Sequence, residues 1–242
     1  MADQPYPAGY LQHRAISAVN SPEPPVQLVC RGVAERFHYT IALRQQLPGL
    51  RMVWDRCRDP METFVRALRS VDDSPALHLE DDVILGENFL NRALLEIAQR
   101  PWSVIQFFSM KPEDLTKGSR WDAYFISAVC FYLPAGYSRL IADYADCWPK
   151  RRSNPNAVDV MVKHWLKKQR NMEKHWIVVP NLVDHRVGPS TIDTTRPERR
   201  QSLTFGQLDA NGSDWGSGEL ALPYMDAHFI SDRLGSYNEA TD

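Results

Sequence analysis

The sequence has few cysteines, and their spacing excludes two roles that cysteine pairs often fill. Only four cysteines occur in 242 residues, and no two of them form a CxxC pair, so zinc-ribbon and thioredoxin-like proteins are excluded. Cys30 and Cys130 lie in apolar runs, where a reduced thiol behaves as a small hydrophobic side chain. We therefore expect free, buried thiols and a cytoplasmic location.

The sequence also lacks a long apolar run and a strong excess of either charge. No stretch reaches the roughly 18 consecutive apolar residues of a membrane span, so no transmembrane segment is predicted. The first ten residues, MADQPYPAGY, have neither the basic nor the apolar part of a secretory signal. A formal net charge of -2 does not favour a chain that binds polyanions along its whole surface.

What the sequence does contain is an alternation of short apolar strands with helices of amphipathic pattern. A strand predicted at 50–55 precedes a helix that begins at Asp59 and Pro60, and a strand at 76–79 precedes a helix at 87–99. Strands that alternate with helices are typical of a mostly parallel, doubly wound sheet. The predicted fold is therefore α/β, with a Rossmann-like sheet flanked by helices in a single domain.

The limits of this domain follow from the same pattern, although its first element is ambiguous. The segment that starts at Pro25 fits either one long helix or a strand at Val26–Cys30 followed by a helix. The polar stretch at 109–122 is predicted to be a loop. We expect residues 1–192 to form the domain, and the Gly-, Ser- and Asp-rich residues 193–242 to form a partly ordered tail or lid.

The most informative segment is LHLEDDVIL, in which three acids follow an apolar strand directly: Glu80, Asp81 and Asp82. Carboxylates this close to one another are unfavourable unless a cation lies between them, and Mg²⁺ and Mn²⁺ prefer carboxylate and phosphate oxygens. In doubly wound sheets ligands bind beyond the carboxyl ends of the strands. The cluster therefore indicates a metal-bound phosphate, and the alternative is a turn in which the acids cap the following loop.

Two segments resemble glycosyltransferases of the GT-A type. LHLEDDVILGENFL at 77–90 resembles their DxD-type motif in a LEDD form, and PNLVDHRVGPSTI at 180–192 resembles the segment that closes their donor site. The similarity extends over 15–191 and is to the family of lipopolysaccharide-type glycosyltransferases and related phage proteins. It implies a GT-A fold and a metal-dependent enzyme, with Mn²⁺ or Mg²⁺ as cofactor. Such an enzyme moves a sugar, with inversion, from a nucleotide-sugar (commonly a UDP-sugar) to an acceptor hydroxyl.

The same resemblance implies roles for five residues. Asp82, as the last acid of the motif, and His185, as the late histidine, would ligate the metal. Glu80, as the first acid, would face the ribose or a metal-bound water, and Asp81 would orient the pair. Asp55, which ends an early strand, would contact the nucleobase. The alternatives are a hydrogen-bonded loop histidine for His185 and a turn acid for Asp55.

An inverting transferase also needs a carboxylate that deprotonates the acceptor hydroxyl. The resemblance favours Asp159, which begins the helix predicted after a basic turn. An acid in the first turn of a helix is also favoured by capping and by the helix dipole, so a purely structural role stays open. Asp122 and Asp184 are the alternative candidates for the base.

The departing diphosphate needs positive charge, most of which the metal would supply. Arg196, Arg199 and Arg200 follow the segment around His185 and would close over the phosphates. Arginine suits this task because its donors form a rigid fork that matches phosphate oxygens. The alternative is that the three arginines belong to a solvated, charged tail.

The sequence leaves the acceptor open. Trp121, Tyr124 and Phe125 are predicted to form an aromatic platform for a sugar or a base, or to pack in the core. The basic turn at 149–155, together with the basic residues of the following helix and its end at 163–174, could follow a phosphate backbone, although a solvated helix face is the default interpretation. The acceptor classes are therefore a glycan, a lipid-linked sugar, or a hydroxymethylated pyrimidine in DNA, as used by phage enzymes. A non-catalytic domain that binds a sugar or nucleotide is the alternative of another class.

Overall fold

The computed structural model describes residues 26–148, 157–188 and 200–206. Nine strands, six α-helices and one short 3₁₀ turn (Ala34–Arg36) occur in these residues. The strands are β1 (Gln27–Gly32), β2 (Arg51–Trp54), β3 (Ala76–Glu80), β4 (Val83–Leu85), β5 (Ile105–Gln106), β6 (Arg120–Asp122), β7 (Cys130–Leu133), β8 (His175–Ile177) and β9 (Val183–His185). The helices are α1 (Phe37–Gln46), α2 (Pro60–Arg69), α3 (Phe89–Gln99), α4 (Asp114–Lys117), α5 (Tyr137–Asp146) and α6 (Val158–Lys168).

Seven of these strands form one sheet in the order β2-β1-β3-β7-β5-β8-β6. The pairs β1–β2, β1–β3 and β5–β8 are parallel, whereas β7 is antiparallel to both of its neighbours and β6 is antiparallel to β8. All strands except β6 and β7 therefore run in one direction. With helices on its faces, this mostly parallel sheet is a Rossmann-like α/β fold, as the sequence predicts.

The helices cover both faces of the sheet, because alternate side chains of a strand point to opposite faces. On β3, Leu77 and Leu79 belong to a core shared with α1 and α3. Between them, His78 points the other way, with its ring 6.5 Å from that of Phe64 on α2. Phe131 of β7 lies on this second face, in a core that α2, α5 and α6 complete. The central strands are thus buried on both sides.

Local sequence signals account for the start of α2. Asp59 is the N-cap residue, and its carboxylate accepts hydrogen bonds from the backbone N–H groups of Met61 and Glu62, both at 3.0 Å. Pro60 occupies the first helical turn, where its missing N–H leaves no hydrogen bond unmade. The predicted helix start is confirmed.

The ambiguous first element is a strand followed by a helix, so the long helix from Pro25 is wrong. β1 pairs with both β2 and β3, and these long-range hydrogen bonds decide between two conformations that the local sequence allows equally. The polar stretch at 109–122 is also more ordered than predicted, because it contains α4 and the edge strand β6. A short buried strand, which the apolar residues at 15–19 also predict, lies outside the described residues.

A second, two-stranded sheet was not predicted from the sequence. β4 and β9 pair antiparallel beside the main sheet, and Val83 lies opposite His185. Each strand has only three residues, which is too short for a periodic pattern to be recognised. Among the helices of the described residues, none has the length and apolar character needed to cross a membrane.

Candidate metal centre

The candidate site lies at the carboxyl ends of the three parallel strands β1, β2 and β3. Gly32 of β1 is in register with Trp54 of β2, and Arg31 is in register with Glu80 of β3. The backbone N–H of Asp55 donates to the carbonyl oxygen of Gly32 at 2.7 Å. The three strand ends are therefore level, and the residues that follow them meet at one edge of the sheet.

Asp81 connects the acidic turn to the end of β1. One of its carboxylate oxygens accepts a hydrogen bond from the backbone N–H of Val33 at 2.7 Å. A side chain at Gly32 would meet this carboxylate, because an added Cβ would lie 3.2 Å from Asp81 Oδ2. Burial raises the pKa of Asp81 to about 6, although the Val33 N–H favours the charged form. Asp81 therefore ties the acidic turn to the end of β1, which is compatible with its predicted role of orienting Glu80 and Asp82.

The small sheet brings His185 to Asp82. The backbone N–H of Arg186 donates to the carbonyl oxygen of Asp82 at 2.8 Å, next to the pair formed by Val83 and His185. His185 Nε2 then lies 3.2 Å from Asp82 Oδ2. Both side chains are almost fully buried, with 1% and 5% exposure. More than 100 residues of chain separate them, and only the β4–β9 pairing places them together.

Glu80, Asp82 and His185 can together present three ligand atoms that all lie within 4.8 Å of one another. Within the described residues, this group meets the requirement that three or more His, Cys, Asp or Glu side chains lie close enough to share one ion. Asp82 Oδ1 is buried and has no hydrogen-bond partner there, which is unfavourable for a carboxylate oxygen. Two carboxylates and an imidazole suit Mn²⁺ well, and Mg²⁺ less well because it prefers oxygen ligands. The residues therefore fit a divalent cation.

An arginine side chain contacts each member of this group. Two of these arginines, Arg31 and Arg36, were not predicted from the sequence to be site residues. Arg31 Nη2 lies 3.3 Å from Glu80 Oε1. Arg36 lies 3.2 Å from Asp81 Oδ1 and also pairs with Asp82. Arg200 Nη2 lies 3.0 Å from His185 Nε2. Arg31 lies in β1, where its register with Glu80 of β3 places it beside that acid, and Arg36 ends the turn that follows β1. The sequence RGVAERF alone does not indicate that either arginine faces the acids.

Asp55 directly follows β2 at the same edge of the sheet, and its carboxylate is engaged by its own turn. Asp55 Oδ1 accepts hydrogen bonds from the backbone N–H groups of Cys57 and Asp59 at 3.1 and 3.3 Å. Next to it, Trp54 and Phe37 have ring centroids 5.8 Å apart and line an open cleft with Ala34. Aromatic faces suited to a flat ring are therefore available at this end of β2.

Asp159 lies in the first turn of α6, apart from the three-residue group. Its carboxylate accepts from the backbone N–H of Val160 at 2.9 Å. At the other end of α6, Arg170 binds the hydroxyl of Tyr137 at the start of α5. The role of Asp159 as a base stays a prediction.

The two alternative bases are held by other groups. Asp122 accepts from Lys111 Nζ and from the backbone N–H of Tyr124, both at 2.7 Å. Asp184 accepts from the backbone N–H groups of Ser202 and His185 at 2.7 and 2.8 Å. Both carboxylates are thus engaged by neighbouring groups, and the choice of Asp159 over them stays a prediction that rests on the resemblance.

The remaining predicted residues divide between the core, the surface and the parts of the chain that are not described. Phe125 is 1% exposed and packs in the core, whereas Trp121 and Tyr124 are 48% and 57% exposed. Arg196 and Arg199, like the basic turn at 149–155, lie outside the described residues.

Comparisons with known proteins add little to this geometry. No protein-family model matches the sequence, and no curated protein matches it either. Among solved structures, A197 from STIV is similar over 82% of this chain and 98% of that chain, with 8% sequence identity and a TM-score of 0.37. That score is too low to carry an inference, so the fold rests on strand order and register, and any function must rest on the site itself.

Proposed function

We propose that this protein is a metal-dependent glycosyltransferase that moves a sugar from a nucleotide-sugar to an acceptor hydroxyl. The observation that carries the proposal is the convergence of Glu80, Asp82 and His185 at the carboxyl ends of parallel strands, where α/β folds bind their ligands. The unpartnered, buried oxygen of Asp82 supports a cation at this point. The resemblance of the LEDD segment to the DxD-type motif supplies the class of reaction.

In this proposal each residue has one task. Glu80, Asp82 and His185 would hold Mn²⁺ or Mg²⁺, which supplies positive charge for the diphosphate leaving group. The cleft beside Trp54 and Asp55 would receive the nucleobase, with UDP favoured by the resemblance alone. Asp159 would accept the proton of the acceptor hydroxyl. Arg196 and Arg199 would contribute to the phosphate site.

One observation favours a non-catalytic alternative. Arg31, Arg36 and Arg200 already contact the acids and the histidine, and guanidinium groups can balance a carboxylate cluster without any metal. In that case the cluster would be a structural ion-pair network, and the domain would at most bind a sugar or nucleotide. The two functions differ in whether Asp82 is needed for the binding of a divalent cation.

The acceptor and the location belong to the proposal as well. An acceptor glycan, a lipid-linked sugar and a modified DNA base all offer a hydroxyl to the predicted base, and the exposed Trp121 and Tyr124 suit a sugar or a base equally. We place the reaction in the cytoplasm, where the four free thiols would stay reduced.

The first test is a thermal-shift screen with UDP-, GDP-, CDP- and dTDP-sugars, each with and without Mn²⁺. We expect one nucleotide-sugar to raise the Tm only together with the metal, because ligands that bind the folded state stabilise it. Asp82→Asn should remove this shift and reduce donor hydrolysis by about 100-fold or more, as expected for the loss of a metal ligand.

A matched control is Asp146→Asn, which removes a carboxylate from an exposed ion pair with Arg69. This variant should keep both the shift and the hydrolysis. If Asp82→Asn also keeps the metal-dependent shift, the metal assignment is wrong. If the wild-type protein shows no shift with any nucleotide-sugar, the non-catalytic alternative gains support.

A further inference from the structure

Residues 200–206 lie against β9 and are fixed there by buried polar groups. The backbone N–H of Ser202 donates to Asp184 Oδ1 at 2.7 Å, and the Ser202 hydroxyl donates to Asn181 Oδ1 at 2.8 Å. The hydroxyl of Thr204 accepts from the backbone N–H of Asn181 at 3.1 Å. Asn181, Asp184, Ser202 and Thr204 are at most 4% exposed. These buried hydrogen bonds hold the segment in one position.

This anchor brings Arg200 to His185. Arg200 Nη2 lies 3.0 Å from His185 Nε2, and a guanidinium group can only donate. With Arg200 as the donor, His185 Nε2 is the nitrogen without a proton, whereas Asp82 Oδ2, 3.2 Å from the same nitrogen, would favour a proton there. The other ring nitrogen, Nδ1, lies 2.8 Å from the carbonyl oxygen of Arg186, which only accepts, so the proton belongs on Nδ1. The same tautomer is the one that ligates a metal through Nε2.

Arg200 therefore occupies the lone pair that the metal would need. We infer that Arg200 competes with the divalent cation for His185 Nε2 and, once displaced, binds the phosphates of the nucleotide. This inference rests on the proposed function, because it requires a metal site at Glu80, Asp82 and His185. It adds that the divalent metal ion replaces the guanidinium group of Arg200 at His185 Nε2.

The anchor explains why the displaced guanidinium stays close to the metal. Ser202, two residues further on, remains bound to Asp184 and Asn181, so Arg200 can turn about its own side chain without release of the segment. Arginine forms bidentate, charge-assisted hydrogen bonds with phosphate oxygens. The metal and the nucleotide are therefore coupled, since binding of the first frees the donor that the second uses.

Calorimetric titration of Mn²⁺ into the nucleotide-free, full-length protein tests this exchange. We expect Arg200→Gln to bind Mn²⁺ about tenfold more tightly than the wild type, because no charge-assisted hydrogen bond has to be broken. In saturating Mn²⁺, the same variant should bind UDP about tenfold more weakly, because a phosphate contact is lost. If Arg200 merely supported the fold, its substitution would weaken the binding of both Mn²⁺ and UDP.

Two further variants make the result decisive. Arg100→Gln removes an arginine that pairs with Glu96 at 2.8 Å on α3, and it should change neither affinity. Ser202→Ala keeps Arg200 but loosens its anchor, and it should also bind Mn²⁺ more tightly. If Arg200→Gln and the wild type bind Mn²⁺ equally, the exchange is wrong and the metal site stands. If neither protein binds Mn²⁺, the metal site fails and the exchange fails with it.

Discussion

The described part of the domain contains two clusters of buried charge, which differ in where their counterions come from. We call them the site cluster and the loop cluster. The site cluster consists of Glu80, Asp81, Asp82 and His185 with Arg31, Arg36 and Arg200. The loop cluster consists of Lys111, Asp114, Arg120, Asp122 and His175.

In the loop cluster the ion pairs connect residues that are close in the chain. Lys111 Nζ lies 2.7 Å from Asp122 Oδ2, and Arg120 Nη2 lies 2.7 Å from Asp114 Oδ1. All four side chains are 17% exposed or less. Two cations face two carboxylates inside one segment, so the cluster fixes the path of that segment and leaves no charge for a ligand.

In the site cluster the carboxylates are consecutive in the chain, whereas the arginines come from β1, from the turn at Ala34–Arg36 and from the 200–206 segment. The side chain of Glu80 is 33% exposed, so water and ions reach the cluster. Counterions from separate elements can be exchanged for a metal without unfolding any strand. The two clusters therefore differ in the origin of their counterions, and the proposed metal site lies at the cluster whose counterions come from separate elements.

The largest expected effect is on the stability of the loop cluster. Lys111→Met should lower the free energy of unfolding by about 3–5 kcal/mol, because Asp122 is left buried without its closest cation. Urea denaturation measures this change, and Mn²⁺ binding should stay normal. The control Arg69→Met breaks the exposed pair with Asp146 and should lower the free energy by about 1 kcal/mol or less. A similar loss in both variants would contradict the difference between the clusters.

Asp159 belongs to neither cluster. Its substitution tests whether the proposed reaction needs a base outside the site cluster. Asp159→Asn should lower kcat by about 100-fold or more and leave the affinity for the nucleotide unchanged, because a general base acts only on the acceptor. Steady-state kinetics with donor and acceptor varied separately would show this. An unchanged kcat would return Asp159 to a structural role at the start of α6.

His175 of the loop cluster and Asp81 of the site cluster should change the free energy of unfolding in opposite directions when the pH is lowered. Burial lowers the pKa of His175 to about 3 from 6.5, so the folded state binds fewer protons than the unfolded chain between these values. His175 therefore contributes stability above pH 6.5, which is lost as the pH falls towards 3. Between pH 7 and pH 4, His175→Gln should lose about 2–3 kcal/mol less free energy of unfolding than the wild type. Urea denaturation at both pH values measures the difference.

Asp81 should behave in the opposite way. Its pKa is raised from 3.8 to about 6, so its contribution to stability is present below pH 3.8 and is lost as the pH rises through 6. Asp81→Asn should therefore be less stabilised by acid than the wild type in the same denaturation series. Parallel pH profiles for the Asp81 and His175 variants would contradict the opposite signs.

The smallest effect is expected at the aromatic cleft. Trp54→Ala should weaken the binding of the preferred nucleotide by about tenfold, since the stacking of a base on an aromatic ring contributes about 1–3 kcal/mol. Trp121→Ala, which removes a half-exposed tryptophan from the edge strand next to the loop cluster, should leave this affinity unchanged. Equal losses in the two variants would argue against a base site at Trp54.

Much of the architecture could be predicted because it depends on short-range patterns. The start of α2 at Asp59 and Pro60 and the acids after β3 are local features of the sequence, and the structure has both. Whether the β1 segment is a strand or a helix could not be decided from the local sequence, because its pairing with β2 and β3 outweighs its helical propensity. The strand β6 was missed because three residues carry too little pattern.

The sequence by itself determined the α/β fold and the position of three acids at a strand end, because hydrophobic periodicity and turn residues are local. Only the tertiary structure decided which groups surround those acids. The β4–β9 pair brought His185 to Asp82, the register of β1 with β3 brought Arg31 to Glu80, and the anchored segment brought Arg200 to His185. The first two contacts join residues far apart in the chain and form only when the sheets are complete. The third depends on the docking of the 200–206 segment against β9, so no local pattern specifies any of them.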